Sequence, residues 1–238
     1  NACVELGFKV SCIGAFGYPD LNPVFNDLSK KCRVYTISDP GYTNAMEFND
    51  GKLLLTKNQV FNEITWENLK KRLGIKKLAK IIGQSDLIGM VNWTMIPHMT
   101  HIWVKLQKHV LPKTELNTKR PFVLVDFADP EKREREDILE ALDVLKGFSA
   151  YSKVIFGMNL KEAHEIINVL GLYKNDIPTD IDLETLTRLI AEKMGIYCVL
   201  IHPVDRAAAV VGGKYYESPG PYTPTPILTT GAGDNFNA

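Results

Sequence analysis

The sequence predicts an α/β fold, doubly wound, with a mostly parallel sheet flanked by helices. Three observations predict it. Short apolar, β-rich runs alternate with helical patterns along most of the chain, the mark of repeated βαβ units. At 238 residues and 45% hydrophobic content the chain is long enough for one large core. One hairpin signal, Asn49-Asp50-Gly51, interrupts the alternation and predicts a small inserted β element.

The strands are expected at Val10–Ala15, Val34–Ser38, Leu87–Val91, Phe122–Asp126, Val154–Met158 and Val199–His202. Each is a run of branched or aromatic residues of strand length. Between them the 3.6-residue period predicts helices over Trp66–Ile82, with a break at Gly74, and over Met99–Leu111, Arg133–Lys146, Lys161–Leu170 and Leu183–Met194. Gly195 follows the last of these as a C-cap. Residues 40–57 read as the inserted hairpin, either an edge decoration or part of a lid. Four prolines between Glu217 and Pro226 predict an extended approach to the C-terminal residues. The chain reads as a single domain over residues 1–238 whose two ends look interrupted: Asn1 opens what resembles a helix end, and Ala238 falls in the first turn of another.

Composition excludes some function classes. There are 28 basic and 28 acidic residues, so no whole-chain electrostatic footprint for nucleic acid or an anionic membrane exists. No apolar run approaches membrane-span length and no signal peptide is visible. Cys3, Cys12, Cys32 and Cys198 lack C-x-x-C spacing and read as reduced thiols, pointing to a cytoplasmic protein. The basic cluster around Lys70-Lys71-Arg72 and the run Glu131–Asp137 read as solvated helix faces. His98, His101 and His109 have helical spacing but no neighbouring acid or cysteine to complete a zinc site.

The chemistry concentrates near the C-terminus, in Thr229-Thr230-Gly231-Ala232-Gly233-Asp234-Asn235-Phe236. Small residues at 231–233 let backbone N–H groups converge on an anion, and a carboxylate follows immediately. Asn159-Leu160-Lys161-Glu162 directly follows a strand, which places an asparagine near a helix cap and a glutamate in the first turn. That position lies at the carboxyl end of the sheet, where open α/β folds gather their active sites. Asn92-Trp93 follows the strand Leu87–Val91 at the same edge; a polar–aromatic pair suits a sugar hydroxyl and ring face, and a core cap equally.

The order Thr-Thr-Gly-Ala-Gly-Asp-x-Phe resembles the C-terminal motif of the ribokinase-like PfkB family of carbohydrate kinases, and the similarity extends over nearly the whole chain. It implies a ribokinase-like fold with a small β-lid, and transfer of the γ-phosphoryl of ATP to a hydroxyl of a sugar or sugar-like substrate. By that resemblance Asp234 is the general base, Gly231, Ala232 and Gly233 form the anion hole, and Thr230 and His202 border the nucleotide. Asn159-x-x-Glu162 is similar to the family's Asn-x-x-Glu motif, which holds Mg2+ and its waters. Val123–Pro130 is similar to a stretch that brings Asp126, Asp129 and Arg133 toward the substrate or phosphates. A homodimer through the lid is implied by resemblance only. Two departures stand out: Leu228 replaces an aspartate that helps hold a monovalent cation in relatives, and His202-Pro203 stands where relatives place a nucleotide-side glycine. Other readings remain open: an ADP donor, a nucleoside or vitamin-alcohol kinase of the same fold, or a catalytically silent sugar-binding regulator.

Overall fold

The computed structural model describes residues 2–48, 51–115, 120–172, 181–224 and 232–237, the side chains of Glu47, Lys52 and Asp234 excepted. Thr230, Gly231, Leu228 and the Asn49-Asp50 turn therefore lie outside the described residues.

The N-terminal part pairs β1 (Ser11–Ala15) with β2 (Arg33–Ser38) in parallel. Helix α1 (Ala2–Glu5) precedes them, and α2 (Asn26–Lys31) makes the crossover. The inserted hairpin follows as β3 (Tyr42–Phe48) and β4 (Gly51–Lys57), in register from Tyr42–Lys57 to Phe48–Gly51. Its alternation puts Tyr42, Met46, Phe48, Leu53 and Leu55 on one face, and all five are exposed.

The expected break at Gly74 is present. Helix α3 (Trp66–Arg72), capped by Thr65, is separated from α4 (Ile75–Gly83) by Gly74 at φ +85°, a conformation that favours glycine. Beyond them lies a six-stranded sheet, in spatial order β10-β9-β8-β7-β6-β5. Strands β5 (Leu87–Met90), β6 (Phe122–Asp126), β7 (Lys153–Asn159) and β8 (Cys198–His202) are parallel; β9 (Arg206–Val211) and β10 (Lys214–Pro219) close the edge antiparallel. The β9–β10 hairpin was not foreseen. Gly212 and Gly213, both at positive φ, make its two-residue turn. His202 thus ends the last parallel strand, not the last strand.

Because the parallel strands are laid down in one direction, right-handed crossovers set their helices along one face. These are α5 (Met99–Lys105, continuing as a π-turn over Leu106–Val110), α6 (Arg135–Gly147), α7 (Leu160–Val169) and α8 (Leu183–Met194), with Gly195 capping in the left-handed region. Beneath them Val123, Val125, Val154, Phe156, Met158, Val199 and Ile201 are almost wholly buried. An aromatic chain joins this layer: Trp93 lies 4.5 Å from Phe127, Phe127 5.0 Å from Phe156, and Trp103 6.3 Å from Phe148. The opposite face carries Phe122, Leu124, Ile155, Gly157 and Leu200, and beyond them Asp126, Asn159 and His202. Helix α9 (Ala232–Phe236) sits on this second face, against the carboxyl ends of β6–β8. No helix of the described residues is long and apolar enough to cross a membrane.

A titratable cluster lies on the outer side of α7. Burial, reinforced by the neighbouring Glu131, pushes the Glu165 carboxyl up to about 7 from an ordinary 4.5. The folded chain therefore holds this proton more tightly than the unfolded chain. The corresponding stability is complete below about 4.5 and is lost as pH rises through about 7. Glu165→Gln mimics the protonated form, so its melting temperature should gain on wild type between pH 5 and pH 8. Thermal melts at both values check this; a gap that does not widen contradicts it.

Candidate active site

The carboxyl edge of β6–β8 collects most of the residues singled out above. Asn159, the last residue of β7, caps α7: its side chain accepts from the Glu162 N–H at 2.9 Å. Glu162 answers with Oε2 accepting from the Asn159 N–H at 2.9 Å, a complete capping box. The other carboxylate oxygen, Oε1, accepts from the Asp129 N–H at 2.9 Å. Glu162 is only 5% exposed, and burial, with the charges of Asp126 and Asp129 adding to it, pushes its carboxyl above the usual range.

The loop after β6 is tightly wound. Ala128 and Asp129 both take positive φ, near +59° and +58°. Such conformations cost about 1–3 kcal/mol each and persist only where the surroundings enforce them. Here the Ala128 N–H donates to Asp126 Oδ1 at 2.8 Å and Asp129 N–H donates to Glu162. Asn92, after β5, is the remaining described non-glycine residue at positive φ, at 63°. All such residues lie at strand ends of this edge.

Helix α9 reaches the same place. Asn237 Nδ2 donates to Asp126 Oδ2 at 2.6 Å, and Phe236 stacks on His202 with ring centroids 4.4 Å apart. Gly233 is close enough to His202 that a Cβ there would lie 3.8 Å from Cε1. Burial holds the His202 imidazole below its ordinary pKa, against the opposing pull of Asp126, so it is predominantly neutral near pH 7. The backbone of Ala232, Gly233 and Asp234 thus stands beside the end of β8, with Asn159 paired to His202 across the ladder.

Other expectations need correction. Trp93 is 0% exposed: it stacks on Phe127, donates from Nε1 to Thr100 at 2.8 Å, and is covered by the Arg133 guanidinium at 4.5 Å. No ring face is left for a ligand, so Trp93 is a core residue. Arg133 is engaged by that ring and by Asp137 at 3.1 Å. Each Asp126 oxygen accepts one hydrogen bond, from the Ala128 N–H and from Asn237 Nδ2, which ties the loop after β6 to the residue following α9. Asp129 pairs with Lys132 at 2.8 Å.

A cleft of about 510 Å3 opens beside this loop, between the hairpin exit (Thr56, Asn58, Gln59) and Thr94, Met95 and Lys132. Thr94 is 6% exposed, yet its Oγ1 has no hydrogen-bond partner, and neither does buried Asn58 Oδ1. Buried oxygens without a protein partner are uncommon and are satisfied by an ordered water or a polar ligand. The sequence reading missed both residues; no local pattern marks them, because their neighbours come from distant parts of the chain.

Among the described residues no group of three or more His, Cys, Asp and Glu is gathered tightly enough to ligate a metal directly. The residues nonetheless fit a hard cation that keeps its own water. Three carboxylates, Asp126, Asp129 and Glu162, lie within electrostatic reach, and Lys132 offsets one of them.

The sequence model of the prokaryotic ketohexokinase family matches residues 1–238. The chain belongs to that family. It is 25% identical over 234 residues to a ketohexokinase of Haloferax volcanii, covering 98% of this chain and 60% of that protein. The chain therefore spans less than two thirds of that relative's length. Solved structures agree on the fold. Trypanosoma brucei brucei adenosine kinase superposes with a TM-score of 0.68 at 13% identity, over 99% of this chain and 70% of that one. A putative ribokinase II of Escherichia coli in complex with ATP and Mg2+ gives 0.59 at 16%, over 99% and 70%. This member of the prokaryotic ketohexokinase family has the ribokinase-like α/β fold that its C-terminal motif implied.

Proposed function

We propose that the protein transfers the γ-phosphoryl of ATP to a hydroxyl of a ketohexose, at the carboxyl edge of β6–β8. The observation that carries this is the meeting of α9, Asn159 and Glu162 at one end of the sheet. Phosphoryl transfer needs in-line positioning, neutralisation of charge on the moving group, and a base for the attacking hydroxyl. Asp234 takes the hydroxyl proton as the oxygen attacks. The N–H groups of Gly231, Ala232, Gly233 and Asp234 receive the charge that develops on the phosphoryl oxygens, with Thr230 beside them. Neutral His202, stacked on Phe236, borders the nucleotide side.

Asn159 and Glu162 would hold Mg2+ through water, and the ion would supply screening of the phosphate charge. The Glu162 carboxylate is fixed for that role at both oxygens by backbone N–H groups. The sugar lies in the cleft beneath the hairpin, which serves as a lid on this single domain, with Thr94 and Asn58 reading its hydroxyls and Asn92 adjoining. The exposed apolar face of the hairpin (Tyr42, Met46, Phe48, Leu53, Leu55) suits a homodimer through the lid. The Cys12 and Cys32 sulfurs lie 3.9 Å apart as thiols, which suits a cytoplasmic location.

The test is turnover of ATP with ketohexoses, aldohexoses and nucleosides as acceptors. Preference for a ketohexose is expected; turnover on nucleosides alone contradicts the proposal. Thr94→Val keeps the shape and removes the hydroxyl. It should raise the sugar KM about 5–10-fold, the worth of one hydrogen bond, with kcat little changed. An unchanged KM would take Thr94 out of the sugar site.

A further inference from the structure

We propose that Asn237 and Asp126 form a positioning strut that holds the anion-binding segment in line with the metal-side glutamate. The inference rests on the proposed kinase function and assigns to Asn237 and Asp126 a role in positioning.

The hydrogen bonds form one continuous chain across the site. Glu162 Oε1 accepts from Asp129 N–H at 2.9 Å. One residue earlier, Ala128 N–H donates to Asp126 Oδ1 at 2.8 Å. Asp126 Oδ2 then accepts from Asn237 Nδ2 at 2.6 Å, and the Asn237 backbone N–H donates to Gly233 O at 2.9 Å. Residues 111 apart in sequence are thereby locked, and the lock spans the distance from Glu162 to Gly233.

Asn237 packs over Gly157 on the neighbouring strand: a Cβ there would lie 3.4 Å from Asn237 Oδ1, at contact distance. That Oδ1 is buried and unpartnered. A purely structural position would favour an apolar side chain, since an unsatisfied buried carbonyl is unfavourable. The one satisfied group of this asparagine is the amide that reaches the Asp126 carboxylate, which fits a geometric role. The charge-assisted bond to Asp126 also resists sliding of α9 along the sheet, which the flat stacking of Phe236 on His202 does not.

Positioning errors near 1 Å cost about 100-fold in rate. Asn237→Ala in the full-length protein should therefore lower kcat by about 10–100-fold, with sugar and nucleotide KM within about twofold of wild type. Asn237→Asp should be worse, because two carboxylates then face each other. The exchange Asp126→Asn with Asn237→Asp rebuilds the bond with donor and acceptor reversed, and should recover at least about fivefold over Asn237→Asp alone. Thermal melts run alongside keep assays well below unfolding, so a merely stabilising role would leave kcat unmoved. The strut is overturned if Asn237→Ala keeps wild-type kcat, or if the exchange recovers nothing. Asp234→Asn separates the two claims. Inactivity there with fully active Asn237 variants removes the strut and leaves the kinase reading standing. Wild-type turnover in Asp234→Asn removes the reading, and the strut with it.

Discussion

Asp234→Asn is expected to lower kcat by about 100- to 10,000-fold, the range supplied by a positioned general base. Asparagine matches aspartate in size and can still hydrogen-bond a hydroxyl, but it cannot take the proton. Sugar KM should therefore move little. Nucleotide affinity should hold or improve slightly, since a negative charge beside the phosphates disappears. Initial rates at saturating substrates, with calorimetric nucleotide binding as a control for folding, check both parts. Loss of binding equal to loss of rate would mean that the carboxylate builds the pocket and does no proton transfer.

The second large effect is expected at Glu162, where stability and chemistry are joined. Its carboxylate satisfies two backbone donors, Asn159 N–H and Asp129 N–H, in a nearly buried setting. Glu162→Ala leaves both unpaired and should cost about 2 kcal/mol or more. For a domain of this size that corresponds to roughly 4–8 °C in Tm. Glu162→Gln keeps the shape but turns an amide NH2 toward one donor, so a smaller loss is expected, with a several-fold higher Mg2+ requirement. Melts and Mg2+ titrations separate the roles. A lowered Tm with an unchanged titration would leave Glu162 as a helix cap only.

The parts of this architecture that repeat locally were legible in the sequence. Phe122–Asp126 and Leu183–Met194 occur as read, because strand and helix periods announce themselves over a few residues. Gly74 and Gly195 broke and ended helices for the conformational reason expected of glycine. The Asn159–Glu162 capping box was equally visible, since its partners are three residues apart. The β9–β10 hairpin was readable but missed: Val210-Val211-Gly212-Gly213 is an apolar run closed by a two-glycine turn, and the prolines after Glu217 drew the reading toward a connector.

Other features had no local signal. Whether Trp93 faced a sugar or the core depended on Phe127, Thr100 and Arg133, which reach it from elsewhere in the fold. The cleft at Asn58 and Thr94 arises only when the hairpin exit meets the loop after β5. Asp126 was read as facing a ligand, and its bonds to Ala128 and Asn237 could not be read locally, since Asn237 lies 111 residues away. In each case the residue type was informative and the partner was not, because burial is decided by packing between distant segments.

A crystal structure of the full-length protein with Mg2+ and a non-hydrolysable ATP analogue tests the central claim most directly. The account predicts the terminal phosphate against the backbone amides of residues 232–234, with the ion's water shell reaching Asn159 and Glu162. A triphosphate bound away from the carboxyl ends of β6–β8, or phosphates facing α9 from a side that Glu162 does not share, would contradict it.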